Sequence, residues 1–162
     1  MGVSCLCFQL RRAARAVTQH FDANFAPAGL KATQFTVLSA VSAMGPTSIG
    51  ALAEWLVTDV STLSRNLALL QRRGLLRATA GSDRRVRDIR LTAAGRRAVA
   101  RAYPFWQRAQ DRIAGELGAD EIRSALAALS RITQHAIAAT GEKTAGRRGP
   151  RQIAVRRATS IS

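Results

Sequence analysis

Between Gly74 and Thr92 the chain changes period, and this change constrains the fold more than any other feature. Before it, Val60, Leu63, Leu67 and Leu70 recur at helical spacing and form a buried stripe that ends at Arg73-Gly74. After it, Leu75-Leu76-Arg77-Ala78-Thr79 and Arg87-Asp88-Ile89-Arg90-Leu91 can alternate in the strand sense, with Ala80-Gly81-Ser82-Asp83 as a turn between them. The spacing predicts a β-hairpin with a basic tip. Helical spacing then resumes at Thr92. A chain that is helical on both sides of one short hairpin belongs to the mainly α class.

The remaining helices follow from the same periodicity. Leu6, Leu10, Ala13, Ala14, Val17 and Phe21 define a helix face over 6–25, broken by Ala26-Pro27-Ala28-Gly29. Thr33 is expected to cap a second helix carrying Phe35, Leu38, Val41 and Met44, closed by Gly45-Pro46. Thr47 or Ser48 opens a short third helix with Ile49, Leu52, Ala53 and Leu56 inward. A break at Val57-Thr58-Asp59 leads into the fourth, 58–73, with Gly74 as its left-handed terminator. Thr92 caps a segment reaching about Leu117, with Pro104 inside it expected to introduce a kink. A last helix spans 120–138, with Ile122, Leu126, Leu129, Thr133 and Ala136 on one face. The dominance of alanine and leucine supports helices, because these residues lose little rotamer freedom there. From Gly141 onward five arginines and one lysine stand among Gly, Ser and Thr, which reads as a disordered basic tail over 141–162.

Charge narrows the partners. Twenty-five Lys and Arg against ten Asp and Glu give a formal +15 in 162 residues. Such a surplus attracts polyanions over about 10 Å at ordinary ionic strength. Nucleic acid is the leading partner; an acidic membrane surface, or no partner beyond solvent, are the alternatives. No stretch approaches the ~20 apolar residues of a membrane span, and Val3–Leu10 runs directly into Arg11 and Arg12, unlike a signal peptide. Two cysteines separated by one residue make no disulfide framework, and a cytoplasmic setting is expected. The ten acids are dispersed, with no Ser/His/Asp order, phosphate-cradling glycine loop or paired carboxylates, so an enzyme is not expected. Cys5, Cys7, His20 and His135 lack a zinc spacing, and neither a metal nor another cofactor is predicted.

Two short helices, a three-residue break and a basic hairpin give the order of a winged helix-turn-helix. With the leucine stripe of 58–73 inward, Ser61, Thr62, Ser64, Arg65 and Asn66 project from the other side. Short hydroxyls, an amide and a guanidinium can reach base edges in a major groove, and Arg65 is suited to a bidentate contact with guanine. A solvated helix face is the alternative, yet serines and threonine inside a helix cost propensity without a packing gain. At the hairpin tip Arg84, Arg85 and Arg87 can enter a minor groove or clamp phosphates, with Asp83 orienting a neighbouring arginine. The alternative there is a charged, mobile loop.

These residues resemble the DNA-binding core of the MarR family of bacterial regulators. The resemblance is carried by Asp59-Val-Ser-Thr-Leu-Ser-Arg65, Leu69-Leu-Gln-Arg-Arg-Gly-Leu75, Asp83-Arg-Arg85, and Leu91-Thr92 followed by Gly95. It extends from Leu6 to about Ala138. It implies a winged-helix domain over 1–140, with a DNA-binding core at 30–92 and dimerisation helices at 5–25 and 93–139. It also implies a homodimer that binds double-stranded DNA at a pseudo-palindromic operator, usually as a repressor controlled by a small-molecule effector or an oxidant. A helix from Thr92 to Leu117 would be about 39 Å long. Its apolar positions Val99, Ala102, Trp106, Ala109, Ile113 and Leu117 exceed what one small domain needs, which suits a partner subunit. A helix folded back on its own domain is the alternative. A sequence-neutral nucleic-acid-binding or architectural protein that uses only charge is the competing function.

Cys7-Phe8 resembles the peroxide-sensing, OhrR-like branch of the family. A thiolate near a helix N-terminus is stabilised by the helix dipole, and Arg11 lies one turn on. Phe21 and Ala32 stand where that branch has tyrosines, so the hydroxyl partners of its sulfur are missing. Cys7, with Cys5, is therefore either a sensing thiol or a small buried apolar residue. His20 either faces a ligand cleft or is exposed to solvent.

Overall fold

The computed structural model describes residues 4–80 and 87–141. They divide into two units, Met1–Gln110 and Asp111–Ser162. In the first unit the order is α1 (Leu6–Phe25), a single 3-10 turn (Ala26–Ala28), α2 (Ala32–Met44), β1 (Thr47–Ser48), α3 (Ile49–Trp55), α4 (Val60–Arg72), β2 (Leu76–Ala80), β3 (Arg87–Leu91) and the greater part of α5 (Ala93–Leu117). The mainly α class and the winged arrangement predicted from the periodicity are present.

The core is built where the stripes converge. Leu38 and Val41 of α2, Leu52 of α3, Leu67 and Leu70 of α4, and Ile89 of β3 are fully buried. Each such side chain contributes about 1.5–3 kcal/mol relative to exposure. Phe25, at the end of α1, packs on Phe35 with ring centroids 4.7 Å apart, which fixes α1 against α2.

The hairpin is one edge of a larger sheet. Thr47 and Ser48 pair antiparallel with Ile89 and Asp88, giving a three-stranded sheet in the order β1-β3-β2. Two residues carry no period of their own, so β1 escapes a reading by alternation; its pairing exists only because the end of α2 delivers it beside β3. Ser48 then serves as the N-cap of α3, its hydroxyl accepting from the Ala51 amide at 3.1 Å.

Three local expectations are corrected. Thr33 does not cap α2: the helix begins at Ala32, whose amide donates to Asp22 Oδ1 of α1 at 2.7 Å, while Gln34 Oε1 accepts from the Lys31 amide at 3.2 Å. The cap is thus supplied from another helix, which no local signal reveals. Val60 shares the helical spacing of Leu63, Leu67 and Leu70 but is 53% exposed rather than buried; it is the first residue of α4, a turn before the stripe meets the core. The apolar face of α1 is buried only toward its end: Leu6, Ala13, Ala14 and Val17 are exposed, since within this unit only the last turns of α1 have α2 to pack on.

Thr92 caps α5 as its position predicts. Its hydroxyl accepts from the Gly95 amide at 2.9 Å and donates to the Gly74 carbonyl at 2.7 Å, and its own amide donates to the Leu75 carbonyl at 3.1 Å. The start of α5 is thereby tied to the junction between α4 and β2. α5 continues through Pro104, with Ala98, Ala102 and Ala109 buried.

The second unit comprises the end of α5 and α6 (Ala119–Gly141), which extends beyond the predicted 120–138. Gly118, at φ 83, makes the left-handed turn between them. Leu126, Leu129 and Ile137 of α6 are exposed. Among the described residues no helix is long and apolar enough to cross a membrane. The predicted tail beyond Gly141 and the turn residues Gly81, Ser82 and Asp83 lie outside the described residues.

Candidate nucleic-acid interface

α3 and α4 meet across the turn Leu56–Asp59. Val57 takes a left-handed conformation, φ 50, which is costly for a β-branched residue, and the Thr58 amide closes the turn by donating to the Ala53 carbonyl at 3.0 Å. Asp59 then caps α4. Its carboxylate accepts from the Ser61 hydroxyl at 2.6 Å and from the Thr62 amide at 2.7 Å. The Ser61 hydroxyl first, then the Thr62 amide and hydroxyl, hold the Asp59 carboxyl well below the usual carboxylate range.

A depressed folded-state value makes the contribution of Asp59 fully present above the ordinary carboxylate range and progressively lost below about pH 4. In thermal melts, the stability advantage of the wild type over Asp59→Asn is expected to shrink as the pH is lowered through that range. An advantage that grew with acid would contradict the assignment.

Burial of Leu63, Leu67 and Leu70 turns the opposite line of α4 outward. Ser61 and Arg65 lie on this line and are exposed. Arg65 makes no hydrogen bond or ion pair with a described residue. Thr62 and Ser64 flank the line, and the Ser64 hydroxyl donates back to the Val60 carbonyl at 2.6 Å. Asn66 is turned toward α2, where its Nδ2 donates to the Thr33 carbonyl at 3.4 Å. The structure thus groups Ser61, Thr62, Ser64 and Arg65, with Asn66 on the flank beside α2. Arg87 is exposed at the start of β3, opposite Ala80. Arg84 and Arg85 lie outside the described residues.

Arg72 is a residue that the leucine stripe and the serine-rich face do not single out. It is exposed seven residues after Arg65, on the same line of α4, and that spacing is the signal that could have found it. Its neighbour Arg73 has a structural role: Nη1 donates to Gln34 Oε1 at 3.0 Å and Nη2 to the Gly29 carbonyl at 2.8 Å, clamping the end of α4 to the start of α2.

The candidate sensing residues depart from two of the expectations. Cys5 is the N-cap of α1 and Cys7 lies in its first turn; both are free thiols and exposed, so neither is a buried apolar residue. The start of α1 has no neighbour in its unit to cover it. His20 is partly buried rather than solvent-exposed, with Nε2 3.1 Å from the Ala109 carbonyl and its ring edge-on to Phe21. A contact 89 residues away in sequence accounts for this difference.

A capped helix presenting small polar residues and an exposed arginine, preceded by a short helix and followed by a small antiparallel sheet, defines a winged helix-turn-helix. Residues 28–86 match the family model of the MarR family. Among solved structures, the transcriptional regulator MosR of M. tuberculosis in complex with DNA is 35% identical, with 82% of this chain and 98% of that chain covered and a TM-score of 0.71. The transcriptional repressor CouR bound to a 23-mer DNA duplex is 32% identical, covering 80% of this chain and 92% of that one, with a TM-score of 0.74. CouR bound to p-coumaroyl-CoA is 29% identical over 80% of this chain and 91% of that chain, with a TM-score of 0.72. No match is found among the curated proteins. The chain belongs to the MarR family of transcriptional regulators.

Proposed function

We propose that this protein binds double-stranded DNA as a homodimer and represses transcription from a pseudo-palindromic operator. The observation that carries this reading is Arg65, exposed on the outward line of a capped α4 and bonded to no described residue. Ser61, Thr62, Ser64 and Arg65 read base edges, Asn66 supports the flank toward α2, and Arg84, Arg85 and Arg87 hold the minor groove or its phosphates. Its role is binding rather than catalysis, exercised in the cytoplasm. Its likeness to MosR and CouR, both solved on DNA, supports the reading.

The exposed apolar residues of α1 and α6, Leu6 and Val17 on one and Leu126, Leu129 and Ile137 on the other, favour burial by a second copy. Control by a small ligand is supported by a cavity of about 360 Å³ among Thr18, Ala32, Thr36, Leu56, Thr62 and Asn66. That volume suits a small organic molecule, and a ligand there would press on three residues of α4, Thr62, Leu63 and Asn66. CouR has been solved with p-coumaroyl-CoA. Oxidant control through Cys7 and Cys5 is the second reading, favoured by the exposure of both thiols.

The test is a mobility shift with DNA from upstream of the chain's own coding sequence against an unrelated duplex of equal length. Specific binding is expected to be about 10³-fold tighter or more, with affinity falling steeply as salt rises. Equal affinity for both duplexes would replace this reading with sequence-neutral, architectural binding. Sedimentation of the free protein as a monomer at micromolar concentration would overturn the homodimer.

A further inference from the structure

The register of β2 and β3 sets Arg77 directly opposite Arg90. Like charges facing each other across an antiparallel pair destabilise a sheet. Both arginines line a cleft of about 260 Å³, together with Arg96 of α5 and with Ser42, Gly45 and Pro46. Among the described residues no carboxylate lines this cleft. Asp88 reaches only the edge of the cluster, its Oδ2 3.8 Å from Arg90 Nη2. Arg90 Nε donates to Thr79 Oγ1 at 3.1 Å and Arg96 Nη1 to the Leu91 carbonyl at 3.4 Å. Arg77 has no hydrogen bond or ion pair with a described residue.

Among the described residues, the one carboxylate nearby, Asp88, pairs with Arg90 alone, and most donors of the three guanidiniums are unspent. Guanidinium forks match phosphate oxygens in paired, charge-assisted hydrogen bonds. We propose that the cleft lined by Arg77, Arg90 and Arg96 binds a phosphate group, whose charge offsets the opposition of Arg77 and Arg90. This goes beyond the DNA-reading face, since none of the three arginines belongs to α4 or to the hairpin tip. The phosphate is either a backbone phosphate of DNA or that of a free phosphorylated molecule.

The test is thermal denaturation of the full chain titrated with inorganic phosphate, against chloride at matched ionic strength. The wild type is expected to show a saturable rise in Tm with phosphate that chloride does not reproduce. Arg77→Gln is expected to melt higher than the wild type in the absence of phosphate, because the cross-strand repulsion is gone, and to bind phosphate about tenfold more weakly. Arg101→Gln, an exposed arginine of α5 outside the cleft, should leave the phosphate response intact. Equal responses of wild type and Arg77→Gln, or an equal effect of chloride, would overturn the proposal. Duplex titrations separate the two sources. A uniform loss of affinity in Arg77→Gln, with inorganic phosphate competing, identifies backbone phosphate. Unchanged duplex affinity beside a lost phosphate response identifies a free phosphorylated molecule.

Discussion

Gly95→Ala is expected to destabilise the protein by about 2–3 kcal/mol, although alanine is the better helix former. Gly95 lies in the first turn of α5, where the helix passes over the junction of α4 and β2. A Cβ there would overlap the Leu75 carbonyl oxygen and come 2.9 Å from Leu91 Cδ2. The Leu75 carbonyl cannot simply retreat, because it accepts the Thr92 amide that begins α5. Gly115, further along the same helix, has nothing within 4 Å of where a Cβ would stand, so Gly115→Ala is expected to stabilise by up to about 1 kcal/mol. Urea unfolding of the two variants checks the pair. Two stabilising substitutions would mean that α5 does not press on Leu75.

The second large effect concerns recognition. Arg65→Ala is expected to lower discrimination between operator and unrelated DNA by about 1–3 kcal/mol, roughly 5- to 150-fold, with little change in Tm. The side chain is exposed and bonded to no described residue, so its removal leaves nothing unpaired in the fold. Arg73→Ala should show the reverse pattern. It breaks the bonds to Gln34 and the Gly29 carbonyl, and so lowers Tm more than it lowers base preference. Mobility shifts against operator variants, beside thermal melts, separate the two arginines. If Arg65→Ala weakened all duplexes equally, Arg65 would be a phosphate contact and base reading would fall to its neighbours.

Much of the candidate recognition face is legible in the amino-acid sequence, for a physical reason. On α4 the leucines at 63, 67 and 70 fix the inward direction, and helical geometry then assigns Ser61 and Arg65 outward with no further information. Asn66 illustrates the limit of that geometry. It lies between the two faces, and only the approach of α2 turns it toward the Thr33 carbonyl. The arginines cannot be sorted by type either: adjacent in sequence and both exposed, Arg72 bonds to no described residue while Arg73 clamps two elements.

The change of period between Gly74 and Thr92, together with the helical stripes around it, determined the class of fold, the strand pairing of the hairpin and the Thr92 cap. These features are local: each depends on residues within a turn or a hairpin of one another. Tertiary structure alone decided the rest. It brought Thr47–Ser48 beside β3, supplied the cap of α2 from Asp22, covered His20 with the Ala109 carbonyl, and set Arg77 and Arg90 on one cleft with Arg96. Each of these joins groups from separate elements, and their meeting is fixed by how helices and sheet pack rather than by the spacing of any one segment.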